Sequence, residues 1–130
     1  LYPGDADLLL LNEDNKAVCI LEFKKHTLSS PVSEQCFTNY YPRPDGRKYK
    51  RLALLRDYLA SKSNSRISFF VLYYPTQTYI EQQWKLEVIE GNAFSLRATD
   101  SFIFELPADK SDNEYKKVIE KISQVIAARS

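Results

Sequence analysis

Two short apolar runs, and the charges that bracket them, constrain this chain more than any other feature. Residues 4–26 read GDADLLLLNEDNKAVCILEFKKH. The runs at 8–11 and 17–21 flank a polar Asn12-Glu13-Asp14-Asn15-Lys16 turn. Short apolar runs bounded by turn formers make a β-hairpin. Asp5 and Asp7 precede the first run, and Glu22 and Lys24 close the second. Side chains two apart on a strand share a face. Glu22 and Lys24 therefore point the same way as Ile20 and Val18, while Cys19, Leu21 and Phe23 point the other way. A hairpin closed with Leu11 facing Lys16 puts Asp7 opposite Ile20 and Asp5 opposite Glu22, within cross-strand or diagonal reach. Both aspartates then share the face of Glu22 and Lys24, and a slip of one residue would move them to the other face. The second run is apolar on both faces, as in a central strand covered on both sides. Charges at the end of such a strand need partners or a metal.

Carboxylates and a lysine converging at one end of an apolar sheet suit metal-assisted phosphodiester hydrolysis. Hard oxygen ligands suit Mg²⁺, which takes one or two carboxylates and keeps several waters. The metal offsets charge on the phosphate and lowers the pKa of a bound water, and a nearby lysine orients that water or stabilises the developing charge. Asp7, fourteen intervening residues, then Glu22-Phe23-Lys24 resembles the signature of the PD-(D/E)xK nuclease superfamily, which includes type II restriction enzymes, Holliday-junction resolvases and many repair exonucleases. The match spans about a sixth of the chain. The resemblance implies metal ligation by Asp7 and Glu22, a water-positioning role for Lys24, and Mg²⁺ as cofactor with Mn²⁺ as substitute. The family's proline directly precedes the aspartate. Here Ala6 does, with Pro3-Gly4-Asp5 just upstream, so Asp5 is the alternative ligand; Asp7 is favoured because it abuts the strand. The plainer alternative is a solvated hairpin with a Glu22–Lys24 surface pair, worth little energetically.

The resemblance also implies a restriction-endonuclease-like α/β fold, a mixed central sheet flanked by helices, and a DNA endonuclease ahead of an exonuclease or a ribonuclease. Relatives carry a helix and a strand before the motif aspartate. With Leu1-Tyr2-Pro3 alone preceding the hairpin, residues 1–130 read as a single nuclease-like domain lacking that segment, or as a fragment of a longer protein. A homodimer or further domains of a parent chain are the expected protein partners.

Composition adds exclusions. A net charge of +1 gives no global field, so affinity for nucleic acid has to come from a local patch. Two cysteines, Cys19 and Cys36, make no disulfide framework, which points to a reducing, intracellular compartment, cytoplasmic or nuclear. No apolar run approaches the length of a membrane span.

Downstream, His26 reads as a surface or loop residue, with a phosphate contact as the alternative. Residues 31–41 read as a short helix with Ser33 at its N-cap. Some nucleases of the resembled group place a glutamine on this helix facing the site, and Gln35 stands at that place here; a solvated glutamine is the plainer reading. Pro42-Arg43-Pro44-Asp45-Gly46 is a turn. A helix follows over 47–61, with Leu52, Leu55 and Leu59 as its apolar stripe and Tyr58 beside them. Lys48, Lys50, Arg51 and Arg56 lie on its other side. With Lys25, Arg43 and Arg47 they form the candidate nucleic-acid surface, interleaved with Tyr40, Tyr41, Tyr49 and Tyr58. Residues 66–74 (RISFFVLYY) read as a buried strand ended by Pro75, parallel to the Glu22 strand through a helical crossover. Residues 84–89, 93–98 and 101–106 alternate as a small antiparallel meander with one face solvated, in which Trp84 is packing. Ser111-Asp112-Asn113-Glu114 is a capping box opening a helix to about Ala128. The function class opposed to a nuclease is a non-catalytic module on the same fold, binding nucleic acid or protein.

Overall fold

The computed structural model describes residues 6–26, 30–40, 44–75, 83–108 and 111–129. Five strands form one mixed sheet in sequence order: β1 (Leu8–Leu11), β2 (Ala17–His26), β3 (Ser68–Pro75), β4 (Gln83–Glu90) and β5 (Arg97–Glu105). β2 and β3 are parallel and the other neighbours antiparallel. The parallel pair needs a crossover, and α1 (Pro44–Ser63) supplies it. α2 (Asp112–Arg129) closes the chain. β2 is therefore interior, as its two-sided apolar run requires, and β3 is buried along nearly its whole length.

The sheet separates two apolar layers. On one face Cys19, Leu21, Phe70, Leu72, Leu86 and Val88 pack with Val118, Ile122 and Ile126 of α2. On the other, Ile20, Phe69, Val71, Tyr73 and Ile89 pack with Tyr49 and Leu52 of α1 and with Val32 and Phe37. Alternation along β2 sends odd-numbered residues to α2 and even-numbered ones to α1. Ser111 accepts the Glu114 amide at 3.4 Å and so caps α2 as the sequence indicates. Both cysteines are free, Cys19 within the core. No helix among the described residues is long and apolar enough to cross a membrane.

Five expectations change. The hairpin register is shifted by two residues: Leu8 pairs with Leu21 and Leu10 with Cys19. Residues 31–40 form two 3-10 turns, Val32–Glu34 and Phe37–Tyr40, with Ser33 inside the first and Pro31 at its N-cap position. β4 has both faces covered and extends the central sheet, and β5 is one strand that includes Thr99 and Asp100, so there is no separate meander. α1 buries Tyr49, Leu52, Ala53 and Arg56, while Leu55 and Tyr58 stand exposed. Spacing of three and four fits that face as well as the leucine stripe, and packing against the sheet decides between them. Finally, His26 is buried at the end of β2, with Nε2 2.5 Å from the Ser30 carbonyl oxygen.

Arg56 reaches across to the turn after β4, donating from Nη2 to the Gly91 carbonyl at 2.6 Å. Gly91 has φ +94°, and a Cβ there would collide with the Ser95 carbonyl oxygen. Gly91→Ala should therefore destabilise the fold by about 1–3 kcal/mol through backbone strain, read as a lower urea midpoint with unchanged slope. An unchanged midpoint would mean the β4–β5 turn relaxes freely.

Candidate active site

Asp7 comes to Glu22 by way of the turn and a bulge. The Asn12 amide donates to the Lys16 carbonyl at 2.9 Å, so the loop closes one residue later than a Leu11–Lys16 pairing would place it. That shift alone would put Asp7 opposite Leu21, on the α2 side. The register then shifts again between Leu10 and Leu11, where Val18 is the extra residue, and Asp7 falls in line with Glu22. Asp7 Oδ2 accepts the Phe23 amide at 2.9 Å, which fixes the carboxylate against β2.

Glu22 is 3% exposed and points into the α1 layer. Lys48, one turn into α1, places its ammonium on Glu22 Oε1 in direct ion-pair contact and 3.9 Å from Asp7 Oδ1. Among the described residues, Glu22 Oε2 is buried with no hydrogen-bond partner. Burial pushes the Glu22 carboxyl up to about 7; Lys48 pulls it down, and the neighbouring Asp7 charge adds to the rise. Desolvation outweighs the single cation, so this is a carboxylate short of positive charge.

Lys24 lines a recess of about 220 Å³ together with Glu22, Lys25, Lys48 and Tyr49. Asp7, Glu22, Lys24 and Lys25 are thus gathered along the C-terminal half of β2, and Lys48 joins them from α1. The rest of the basic set does not form one surface. Arg56 lies on the buried face of α1, paired with Asp57 and Gly91, because the helix turns that face to the sheet. Lys50 turns to the opposite flank from Lys48, its ammonium 4.3 Å from the Phe94 ring centroid. Arg47 is exposed and Arg51 half-buried. Gln35 is buried between the two 3-10 turns, accepting from Asn39 at 3.3 Å and donating to Ser30 at 3.4 Å, rather than presented on a helix. Asp5, Arg43 and Tyr41 lie outside the described residues.

Two groups had no sequence signal for the places they take. Lys48 looks like one more base in a basic run, and only the crossing of α1 over β2 brings it to the acids. Lys85 and Glu87 look like the solvated face of an alternating strand but are 8% and 2% exposed. Glu87 Oε1 accepts from the Tyr73 hydroxyl at 2.8 Å and the Phe37 amide at 2.9 Å, and Lys85 donates to the Ser33 and Gln35 carbonyls. This network clamps residues 33–37 onto the sheet beside the acid pair.

The donor set fits a small hard cation. Two carboxylates converge on one positive charge, and one buried oxygen lacks a partner among the described residues. Among the described residues no group of three or more carboxylate, histidine or cysteine ligands assembles, and Mg²⁺ needs only one or two, with water completing its shell. Compared with protein-family models, curated proteins and solved structures, the chain finds no match.

A carboxyl that keeps its proton up to about 7 in the folded state, against 4.5 as the ordinary value, binds more protons folded than unfolded between those values. Stability then falls as pH rises through that window, by on the order of 3 kcal/mol at full ionisation. Glu22→Gln should be more stable than wild type above pH 7, with the advantage fading toward pH 4.5. Melting curves across the window check this; an advantage that does not vary with pH would mean Glu22 titrates normally.

Proposed function

We propose that this chain is a divalent-metal-dependent nuclease domain of the PD-(D/E)xK type, hydrolysing phosphodiester bonds in DNA. The observation that carries the proposal is the meeting of Asp7 and Glu22 around one cation midway along an interior strand, with one Glu22 oxygen buried and without a hydrogen-bond partner among the described residues. The order of elements supports the finer fold assignment: an acid-bearing hairpin, a helical crossover, then a parallel strand beside the Glu22 strand.

Asp7 and Glu22 would hold Mg²⁺ or Mn²⁺, with Asp7 already oriented by the Phe23 amide. The ion when bound neutralises phosphate charge and lowers the pKa of a nucleophilic water. Lys24 and Lys25, beside the acids in the same recess, face the phosphate. Lys24 orients the attacking water and stabilises the charge developing on the phosphoryl oxygens. The low-dielectric floor under Glu22 strengthens each of these interactions.

One observation favours a second reading, a non-catalytic module on the same fold. Lys48 already sits on Glu22 and near Asp7, so part of the pair's charge is compensated without metal. The two readings differ in what a divalent ion does. A metal site stabilises the fold by mass action, and an ion pair that only holds α1 to β2 does not.

Millimolar Mg²⁺ or Mn²⁺ should therefore raise the melting temperature of the wild-type chain but not of Asp7→Ala or Glu22→Ala. Both variants should lose cleavage of DNA while keeping or tightening its binding, since a negative charge facing phosphate is removed. Lys24→Ala should keep the metal response and lose cleavage by on the order of 10²-fold or more. Cleavage by Glu22→Ala at the wild-type rate, or no thermal response to either metal, would leave the non-catalytic module standing.

A further inference from the structure

Beside the acid pair the end of the sheet is hollow, and its lining is aromatic. A groove of about 730 Å³ is lined by Asp7, Phe23, Lys48, Leu72, Tyr74 and Trp84. Phe23 pairs with Leu72 and Leu72 with Leu86, while Tyr74 and Trp84 stand two residues along from Leu72 and Leu86. Alternation therefore puts Phe23, Tyr74 and Trp84 on one face of the sheet. Phe23 is 39% exposed, and Trp84 is half-buried and packs on the sheet–α2 core. Among the described residues β1 pairs with β2 only as far as Leu8 and Leu21, so the groove passes from this face, which Phe23 and Lys25 share, to the acids, Lys24 and Lys48 on the other. The groove and the lysine-rich recess share Phe23, Lys48 and Tyr74.

Three rings on one face of the sheet, lining one groove with lysines and a carboxylate nearby, match one kind of ligand. Rings stack on bases, and lysines meet phosphates. A duplex does not offer its base faces, which are stacked inside the helix. An unpaired strand offers both bases and phosphates along its length.

We infer that the groove of Phe23, Tyr74 and Trp84 seats the unpaired bases of a single-stranded polynucleotide while its phosphodiester backbone passes Lys24, Lys25 and the Asp7–Glu22 pair. The inference rests on the nuclease function proposed above and names its substrate class: single strands, ends, flaps or loops, rather than intact duplex. The shared chemistry is a phosphodiester with free base faces, supplied by DNA or RNA.

Trp84 is the chain's only tryptophan, so the groove carries its own reporter. The experiment titrates the Glu22→Gln chain, in Mg²⁺, with oligonucleotides of equal length: single-stranded DNA, single-stranded RNA, blunt duplex DNA, and an abasic DNA strand that keeps the phosphates and lacks the bases. Single strands should quench Trp84 and bind at least about tenfold more tightly than duplex or abasic strand, since stacking contributes on the order of a factor of ten per base. Quenching by DNA alone, RNA alone, or both identifies the source. Phe23→Leu and Tyr74→Leu keep the apolar volume and remove the ring; each should weaken single-strand binding about tenfold and leave abasic binding unchanged. The quench needs no aromatic substitution, so a variant that fails to fold leaves the outcome decided.

Duplex or abasic strand bound as tightly as the single strand, with Trp84 fluorescence unmoved, overturns the inference. If the wild-type chain also cuts that duplex, the nuclease proposal survives and only the substrate class falls. If no nucleic acid of any kind binds, both fall.

Discussion

A carboxylate buried in the middle of an interior strand is unstable on its own, and much of this structure follows from how Glu22 is accommodated. Removing an ion from water is expensive, and a single partner offsets that only in part. Lys48 is that partner, and its attraction does not overcome the desolvation, which leaves Glu22 harder to ionise than an ordinary glutamate. Holding Lys48 in place fixes how α1 crosses β2. It also fixes which face of α1 meets the sheet, with Tyr49 in the core one residue on and Arg56 two turns further along that face. A helix whose apolar stripe would allow more than one phase is thereby held in one.

The α1 side of the sheet is accordingly mixed in character, and the α2 side is not. Under α2 the core is aliphatic and aromatic, with Cys19 pushed up to about 11 by burial and chemically quiet. Under α1, Glu22, Glu87 and Lys85 lie beneath or beside the apolar cluster. The Tyr73 hydroxyl, held on Glu87 and buried, is displaced upward for the same reason as the Glu22 carboxyl. Glu87 and Lys85 hold the 3-10 turns against the sheet, so the polar content of that layer is divided between a satisfied clamp and an incompletely satisfied acid pair. Buried polar groups that are fully bonded rigidify their surroundings. The contrast between the two sets isolates the Asp7–Glu22 end as the part of the layer still short of positive charge.

Much of this was legible from residue order, because the signals were local. The hairpin, the parallel β2–β3 pair joined by a helix, and the Ser111 cap are each written within a few residues of where they act. That Asp7 and Glu22 share a face was expected from the hairpin, although in a register two residues from the one observed. What was not legible depended on contacts between distant elements. Leu52, Leu55 and Leu59 make as good a stripe as Tyr49, Leu52, Ala53 and Arg56 until the sheet selects one. Lys85 and Glu87 alternate as a solvated face would, and only the segment at 31–40 folding over them makes that face interior. The groove aromatics sit on three strands, Phe23 on β2, Tyr74 on β3 and Trp84 on β4, so no spacing in the sequence links them.

The hairpin shows how narrowly the site is set. Strand side chains have a period of two, so any odd change in register exchanges the faces. The five-residue turn from Asn12 to Lys16, stabilised by Asn12 Oδ1 accepting the Asp14 and Lys16 amides and by Asn15 at φ 60°, makes one such change. On its own it would have turned Asp7 toward the α2 layer, across the sheet from Glu22. The extra residue at Val18 makes a second change and restores the face. A bulge is therefore what makes an acid pair out of two acids fifteen residues apart. Nothing in the apolar packing of β1 demands it, since Leu8, Leu9, Leu10 and Leu11 would present leucine to either layer in either register. The one consequence of the bulge that depends on residue identity is the placement of Asp7 beside Glu22.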